Sequence, residues 1–280
     1  MRPSARDIWL LMVAIGVTAA AQIVRADATY PAVSIPGSEL RTMKSTSTGR
    51  TYDLYIRTPA DYGTASNRRY PVLYLLDGQW DFKLLDSVVG GLVYDKWMPD
   101  IIVVGITYSG AHADYDGLRA MDYTPVAGSA TGSGDGPKFL GFLKTELIPF
   151  VESNFRADPS RRILAGHSLG GLFTLYAMFS DPSFFWGYIA GSPAFTYGDE
   201  FVAKQEAAYA EKHRELPVRL FVGVGGAEPL VTPGTKFVRT LASRNYGALH
   251  WDGRVIEGER HSGVKPELYN RALRFIFGTE

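Results

Sequence analysis

Arg162-Ile-Leu-Ala-Gly-His-Ser-Leu-Gly-Gly171 is the stretch that decides the fold. Ile163 to Ala165 read as the end of a buried strand, and Leu169 onward reads as the start of a helix. Between them, Gly166-His167-Ser168-Leu169-Gly170 fits the G-x-S-x-G elbow, a sharp strand-to-helix turn that carries a nucleophile. Small residues two positions either side of the serine let the neighbouring elements approach closely, and the turn puts Ser168 on a strained backbone. Its Oγ then stands clear of the sheet, with the first helix amides nearby to receive negative charge. The bare string recurs by chance in many chains; the strand before it and the helix after it give it weight. The competing reading is a tight turn with an N-capping serine.

Working outward, Pro71-Val-Leu-Tyr-Leu-Leu76 and Ile101-Ile-Val-Val-Gly-Ile106 are continuous apolar runs, the pattern of strands covered on both faces. Upstream, Tyr52-Asp-Leu-Tyr-Ile-Arg57 alternates polar and apolar residues, which predicts antiparallel strands at one edge of a sheet. Residues 83–97 read as a looser helix interrupted by Gly90-Gly91. Residues 108–136 read as long and irregular, and so belong near the mouth of a site. Phe139, Phe142, Leu143, Leu147, Phe150 and Val151 recur at helical spacing, giving an amphipathic helix laid on the sheet. After the elbow helix come strands near 185–190, 218–222 and 249–256, with helices near 200–215, 235–244 and 266–276. Strand and helix alternate from residue 71 to the end. The right-handed crossover rule turns that order into an α/β fold with a mostly parallel central sheet and helices on both faces.

The chain has 280 residues, enough for a large core in one domain. Lys and Arg number 29 against 29 Asp and Glu, with no basic block, which argues against a nucleic-acid partner. Cysteine is absent, excluding disulfides, thiolate metal sites and a cysteine nucleophile. At the N-terminus, Arg2 and Arg6 precede an apolar run from Ile8 to Ala21, and Val24-Arg25-Ala26 suits a signal peptidase. The expectation is a signal peptide over 1–26, a single mature domain over 27–280 with no stable membrane span, and export to the bacterial periplasm. The alternatives are secretion or an uncleaved N-terminal anchor; the apolar run is short for a span.

A serine hydroxyl is a poor nucleophile without a base. Of the histidines, His112 falls in the irregular segment, His213 on a charged helix and His250 at a strand start. His167 adjoins the nucleophile with its side chain directed away, suited to packing. His261 follows the last strand, where the chain order serine, acid, histidine places the base. The acid belongs at the C-terminal end of the preceding strand, which selects Glu228 in Gly225-Gly-Ala-Glu-Pro229, with Asp252 as its rival. A serine–histidine pair without a close acid stays open. Two amides are needed for the oxyanion: that of Leu169, and that of Gln79 in the loop after the 71–76 strand, with Gly78 letting it turn inward. Trp80, Phe82 and Phe195 are candidates for the substrate pocket and equally for the core. No metal or cofactor motif appears.

With these residues placed, the chain resembles the putative-esterase family of α/β-hydrolases, and most of all its periplasmic siderophore-esterase-like branch. The marks are Tyr70-Pro-Val-Leu-Tyr-Leu-Leu-Asp-Gly78, Arg119-Ala-Met-Asp-Tyr-Thr-Pro125, Phe139-Leu-Gly-Phe-Leu-Lys-Thr-Glu-Leu-Ile-Pro149, Gly166-His-Ser-Leu-Gly-Gly171 and Glu259-Arg-His261. The resemblance implies the α/β-hydrolase fold, Ser168 as nucleophile, His261 as base, and the Gln79 and Leu169 amides as oxyanion hole. It also implies that Arg119 and Asp122 shape the pocket rim or tie down the long segment. The reaction it implies is hydrolysis of a small-molecule carboxylic ester through an acyl-enzyme, with siderophore-type esters as one substrate class and no cofactor. Feruloyl or acetyl carbohydrate esters, acyl transfer to an alcohol, peptide hydrolysis, and a non-catalytic envelope scaffold are the rival readings.

Overall fold

The computed structural model describes residues 34–64 and 67–278, so the leader expected over 1–26 lies outside the described residues. Ile35–Glu280 make one compact unit. Its strands are β1 (Ser38–Lys44), β2 (Thr51–Arg57), β3 (Tyr70–Leu75), β4 (Ile102–Tyr108), β5 (Ala157–His167), β6 (Gly187–Gly191), β7 (Arg219–Gly225) and β8 (His250–Ile256). They form one sheet in the order β1-β2-β4-β3-β5-β6-β7-β8. The pairs β1–β2 and β2–β4 are antiparallel, and from β4 to β8 every pair is parallel. Every residue of β3 and β4 is buried, as their unbroken apolar runs require. In β2 the alternation shows directly, with Tyr52, Leu54 and Ile56 buried and their neighbours half-buried.

The helices are α1 (Gly78–Tyr94), α2 (Tyr115–Asp122), α3 (Gly136–Phe142), α4 (Ile148–Asn154), α5 (Leu169–Ser180), α6 (Tyr197–Lys212), α7 (Val231–Arg244) and α8 (Lys265–Phe277). A π-helical turn, Leu143–Leu147, joins α3 to α4. On one face of the sheet, α1 and α8 bury Phe82, Leu85, Val89, Leu268 and Leu273. On the other, α3 to α7 bury Phe139, Phe142, Leu172, Phe173, Val202 and Phe237. The predicted two-sided α/β architecture is the observed one. Among the described residues no helix is long and apolar enough to cross a membrane.

Two sequence expectations are corrected here. The helix after β3 is not interrupted at Gly90-Gly91: α1 runs through both, because both lie on its exposed face and need no side chain for packing. It also begins at Gly78, earlier than expected. The irregular 108–136 segment contains α2, started by the Asp114 carboxylate, which accepts from the Gly117 amide at 3.0 Å. This helix is only eight residues long and turns Ala120 and Asp122 inward, so a buried carboxylate stands where a sequence reading looks for an apolar residue.

Candidate active site

In the sheet order β3 lies between β4 and β5, so the chain winds outward in opposite directions from the β3–β5 boundary. Ligands of open α/β sheets bind at such a switch point, beyond the C-terminal strand ends. There α1 and α5 begin side by side. The Leu76 amide donates to the Ala165 carbonyl at 2.9 Å, and a Cβ on Gly170 would lie 3.4 Å from Asp77 Oδ2.

Ser168 sits between β5 and α5 with φ 60 and ψ −117, a conformation that L residues rarely hold. Its surroundings enforce it. The Ser168 amide donates to the Gly191 carbonyl at 2.9 Å, and its own carbonyl accepts from Leu172 at 2.9 Å and Ala194 at 3.1 Å. A Cβ on Gly166 would lie 2.4 Å from the Gly170 carbonyl oxygen, which is why the elbow needs glycine there. At the adjacent start of α1, the Trp80 and Asp81 amides both donate to the Asp77 carbonyl, at 3.0 and 3.1 Å. Among the described residues the Gln79 and Leu169 amides donate to no backbone acceptor outside their own helices and strands. They are first-turn donors of two neighbouring helices, the type of group that receives an anion. Gln79 therefore belongs to a helix N-terminus and not to a loop; the turn that aims it is made by Asp77, at φ 57 and ψ 40.

Glu228 follows β7 and its side chain is 2% exposed. Its Oε1 accepts from the Ser192 hydroxyl at 2.5 Å and the Gly225 amide at 2.7 Å, and its Oε2 faces His261 Nδ1 at 2.5 Å. Three groups thus fix one carboxylate. The His261 loop is held in turn by the Ala227 amide, which donates to the Glu259 carbonyl at 2.9 Å. His261 keeps 41% of its side chain exposed, which leaves the ring accessible from the cleft. Asp252, the rival acid, lies within β8 and pairs with Arg254 at 2.8 Å. Ser192 was not singled out from the sequence; its only signal is a hydroxyl in the Gly191-Ser192-Pro193 turn where β6 ends.

His167 is 4% exposed, and its ring centroid lies 4.5 Å from that of His261. Contact between these rings brings the His261 imidazole beside the residue that precedes Ser168. Burial above all, together with the positive charge of Lys265, pushes the His167 pKa down to about 2 from 6.5. It is therefore a neutral packing group, as its neighbourhood to the nucleophile suggested. The unfolded chain binds a proton below pH 6.5 that the folded chain refuses, so this residue's contribution to stability is full above 6.5 and is lost as pH falls. His167→Gln should therefore flatten the acid limb of stability. Urea unfolding measured from pH 7 to pH 4.5 should show the wild-type slope exceeding that of the variant by up to ~1.4 kcal/mol per pH unit.

The pocket candidates separate. Trp80 is 42% exposed at the start of α1, with Tyr115 of α2 edge-on at 6.1 Å, and fits the rim. Phe82 does not reach it. It is buried on the α1–α8 face, where its ring fills the space left by Gly105, so it belongs to the core. Phe195 is likewise core, packed on Phe237 at 5.3 Å between ring centroids. Arg119 is 12% exposed and spends its guanidinium on Asp77, while Asp122 is buried with Tyr52 and Arg50. Both therefore tie down the long segment.

Residues 45–262 match the family model described as "Putative esterase". The ferri-bacillibactin esterase BesA of Bacillus subtilis is 30% identical over 268 residues, covering 88% of this chain and 92% of its own. The apo-salmochelin esterase of Escherichia coli is 34% identical over 160 residues, 53% of this chain and 48% of its own. Among solved structures, the BES protein from Bacillus cereus superposes with a TM-score of 0.80 at 27% identity, covering 89% of this chain and 98% of its own. With the family model matching residues 45–262, well over half of the chain, and a relative aligned almost end to end, the chain belongs to the putative-esterase family and is a hydrolase of small-molecule carboxylic esters on the α/β-hydrolase fold.

Proposed function

We propose that this hydrolase cleaves siderophore-type esters through an acyl-enzyme on Ser168. The observation that carries the assignment of residues is the Glu228 carboxylate, clamped by Ser192 and Gly225 on one oxygen and directed at His261 Nδ1 with the other. A donor role for Nδ1 leaves Nε2 as the acceptor. It takes the Ser168 proton as Oγ attacks the ester carbonyl, and Glu228 stabilises the imidazolium that results. The Gln79 and Leu169 amides receive the tetrahedral oxyanion. His261 then protonates the leaving alcohol, and a water activated by the same imidazole releases the acid.

The substrate class rests on the relatives, a ferri-bacillibactin esterase and an apo-salmochelin esterase, and on the exposed Trp80 beside Tyr115, which offers an aryl group two aromatic surfaces. Residues 1–26 are read as the leader that exports the chain to the periplasm. The test is a comparison of kcat/KM for a catecholate triester, short-chain p-nitrophenyl esters, feruloyl sugars and acetylated sugars. The expected result is a preference of at least about tenfold for the triester, equivalent to ~1.4 kcal/mol of transition-state binding. Faster turnover of feruloyl or acetyl sugars would transfer the protein to carbohydrate esters.

A further inference from the structure

One buried charge pair beside the site has no part in the chemistry above. Arg119 Nε donates to Asp77 Oδ1 at 3.0 Å and Nη2 to Oδ2 at 2.8 Å, with the two side chains 12% and 3% exposed. Ion pairs so withdrawn from water add little to stability over apolar groups of the same volume, so a brace for the fold is a weak account of this one. Its location offers a better account. Asp77 is the left-handed residue on which α1 starts, and every polar group it has is engaged. Its amide donates to the Tyr123 hydroxyl at 3.2 Å, its carbonyl receives Trp80 and Asp81, and its carboxylate is held by Arg119. Arg119 and Tyr123 both come from α2 and its C-terminal flank.

The next residue leaves the turn no freedom. A Cβ on Gly78 would lie 2.8 Å from the Gly105 carbonyl carbon, so the backbone there is pressed directly on β4. The residue after that is Gln79. A left-handed aspartate is a strained residue, and it persists only where its surroundings over-determine it. Here the surroundings are α2. Without the guanidinium, the buried Asp77 carboxyl would lose both of its side-chain donors and keep only the field of Lys265 against its charge, and rotation of the turn towards water would relieve it. That rotation swings the Gln79 amide.

We propose that Arg119 is a positioning residue for the oxyanion hole: its forked grip on Asp77 holds the left-handed turn that aims the Gln79 amide at the reacting carbonyl. The proposal rests on the serine-esterase reading given above. It makes the segment 109–135 part of the transition-state site through Asp77, without any contact between Arg119 and substrate. The same guanidinium lies 5.4 Å from the Trp80 ring centroid, so it also fixes the rim residue next to Gln79.

The experiment compares the full chain with Arg119→Lys and Arg119→Met, on a p-nitrophenyl ester and on the thionoester that differs only in C=S for C=O. Lysine keeps the charge but cannot form the fork, and serves if the methionine variant fails to fold. The expected result is a fall of about 10²-fold in kcat on the oxygen ester with KM nearly unchanged. The thionoester rate should fall much less, because a developing thiolate draws little from N–H donors. Equal falls on the two esters would make Arg119 a general brace and overturn the proposal. A raised KM at constant kcat would make it a substrate-binding residue, with the same consequence, as would unchanged kinetics in both variants. Absence of turnover by the wild-type chain would instead remove the esterase reading on which the proposal stands.

Discussion

Ser168→Ala should lower kcat by about 10⁴-fold or more while leaving substrate affinity and folding intact. Alanine meets the same φ and ψ restrictions as serine, and the amide and carbonyl of residue 168 keep their partners at Gly191, Leu172 and Ala194. Among the described residues the Ser168 hydroxyl makes no capping hydrogen bond to α5, so the melting temperature should move by only a few degrees. What remains is catalysis from the oxyanion donors and from binding alone. The measurement is kcat and KM on one ester, with a thermal melt of both proteins. Turnover within tenfold of wild type would eliminate Ser168 as the nucleophile.

The second large effect is expected from Glu228→Gln, and its cause is a tautomer. The carboxylate oxygen Oε1 accepts from two donors, the Ser192 hydroxyl and the Gly225 amide, so a glutamine must leave its carbonyl oxygen there. Its NH₂ group then faces His261 Nδ1, at the position where Oε2 now stands 2.5 Å away. A donor at that point requires Nδ1 to be the acceptor, which moves the ring proton to Nε2. The imidazole then points a proton at Ser168 instead of a lone pair. The expected loss is about 10³ to 10⁴-fold in kcat, with little change in KM. It should exceed the loss in Glu228→Asp, which keeps the charge and shortens the reach. Steady-state kinetics on the two variants decide it. A glutamine variant more active than the aspartate one would show that Glu228 does not set the tautomer.

How far the sequence reached depended on the kind of signal. The elbow, the buried strands and the late histidine were legible because each is local: a glycine spacing, an apolar run, a place in the chain order. Glu228 was selected as the candidate acid by its position after a strand, and the three partners that surround it could not have been foreseen. Ser192 carried no more than a turn serine's signal, since its importance lies in reaching across to a residue 36 positions later. Helix α2 was missed for a related reason. It points Arg119 and Asp122 into the protein, where Asp77 and Arg50 neutralise them, so polar residues occupy places where the sequence pattern asks for apolar ones. Phe82 and Phe195 were ambiguous between pocket and core, and only packing against Gly105 and Phe237 resolves them.

The pairing of β3 with β5 also has a kinetic meaning. Val72 lies opposite Arg162 and Leu75 opposite Ala165, so the two strand ends that carry Gln79 and Ser168 are joined only after some ninety residues of chain have been looped out. Contacts of such separation form late, and a strained residue can be loaded only once the parts that restrain it are in place. The elbow at Ser168 is restrained by β6 and by the first turn of its own helix, and Glu228 and His261, the proposed acid and base, come from segments still further on. A partly folded chain of this protein therefore contains Ser168, Glu228 and His261, the proposed triad, without the arrangement that would make them act together. Turnover is the last property it acquires.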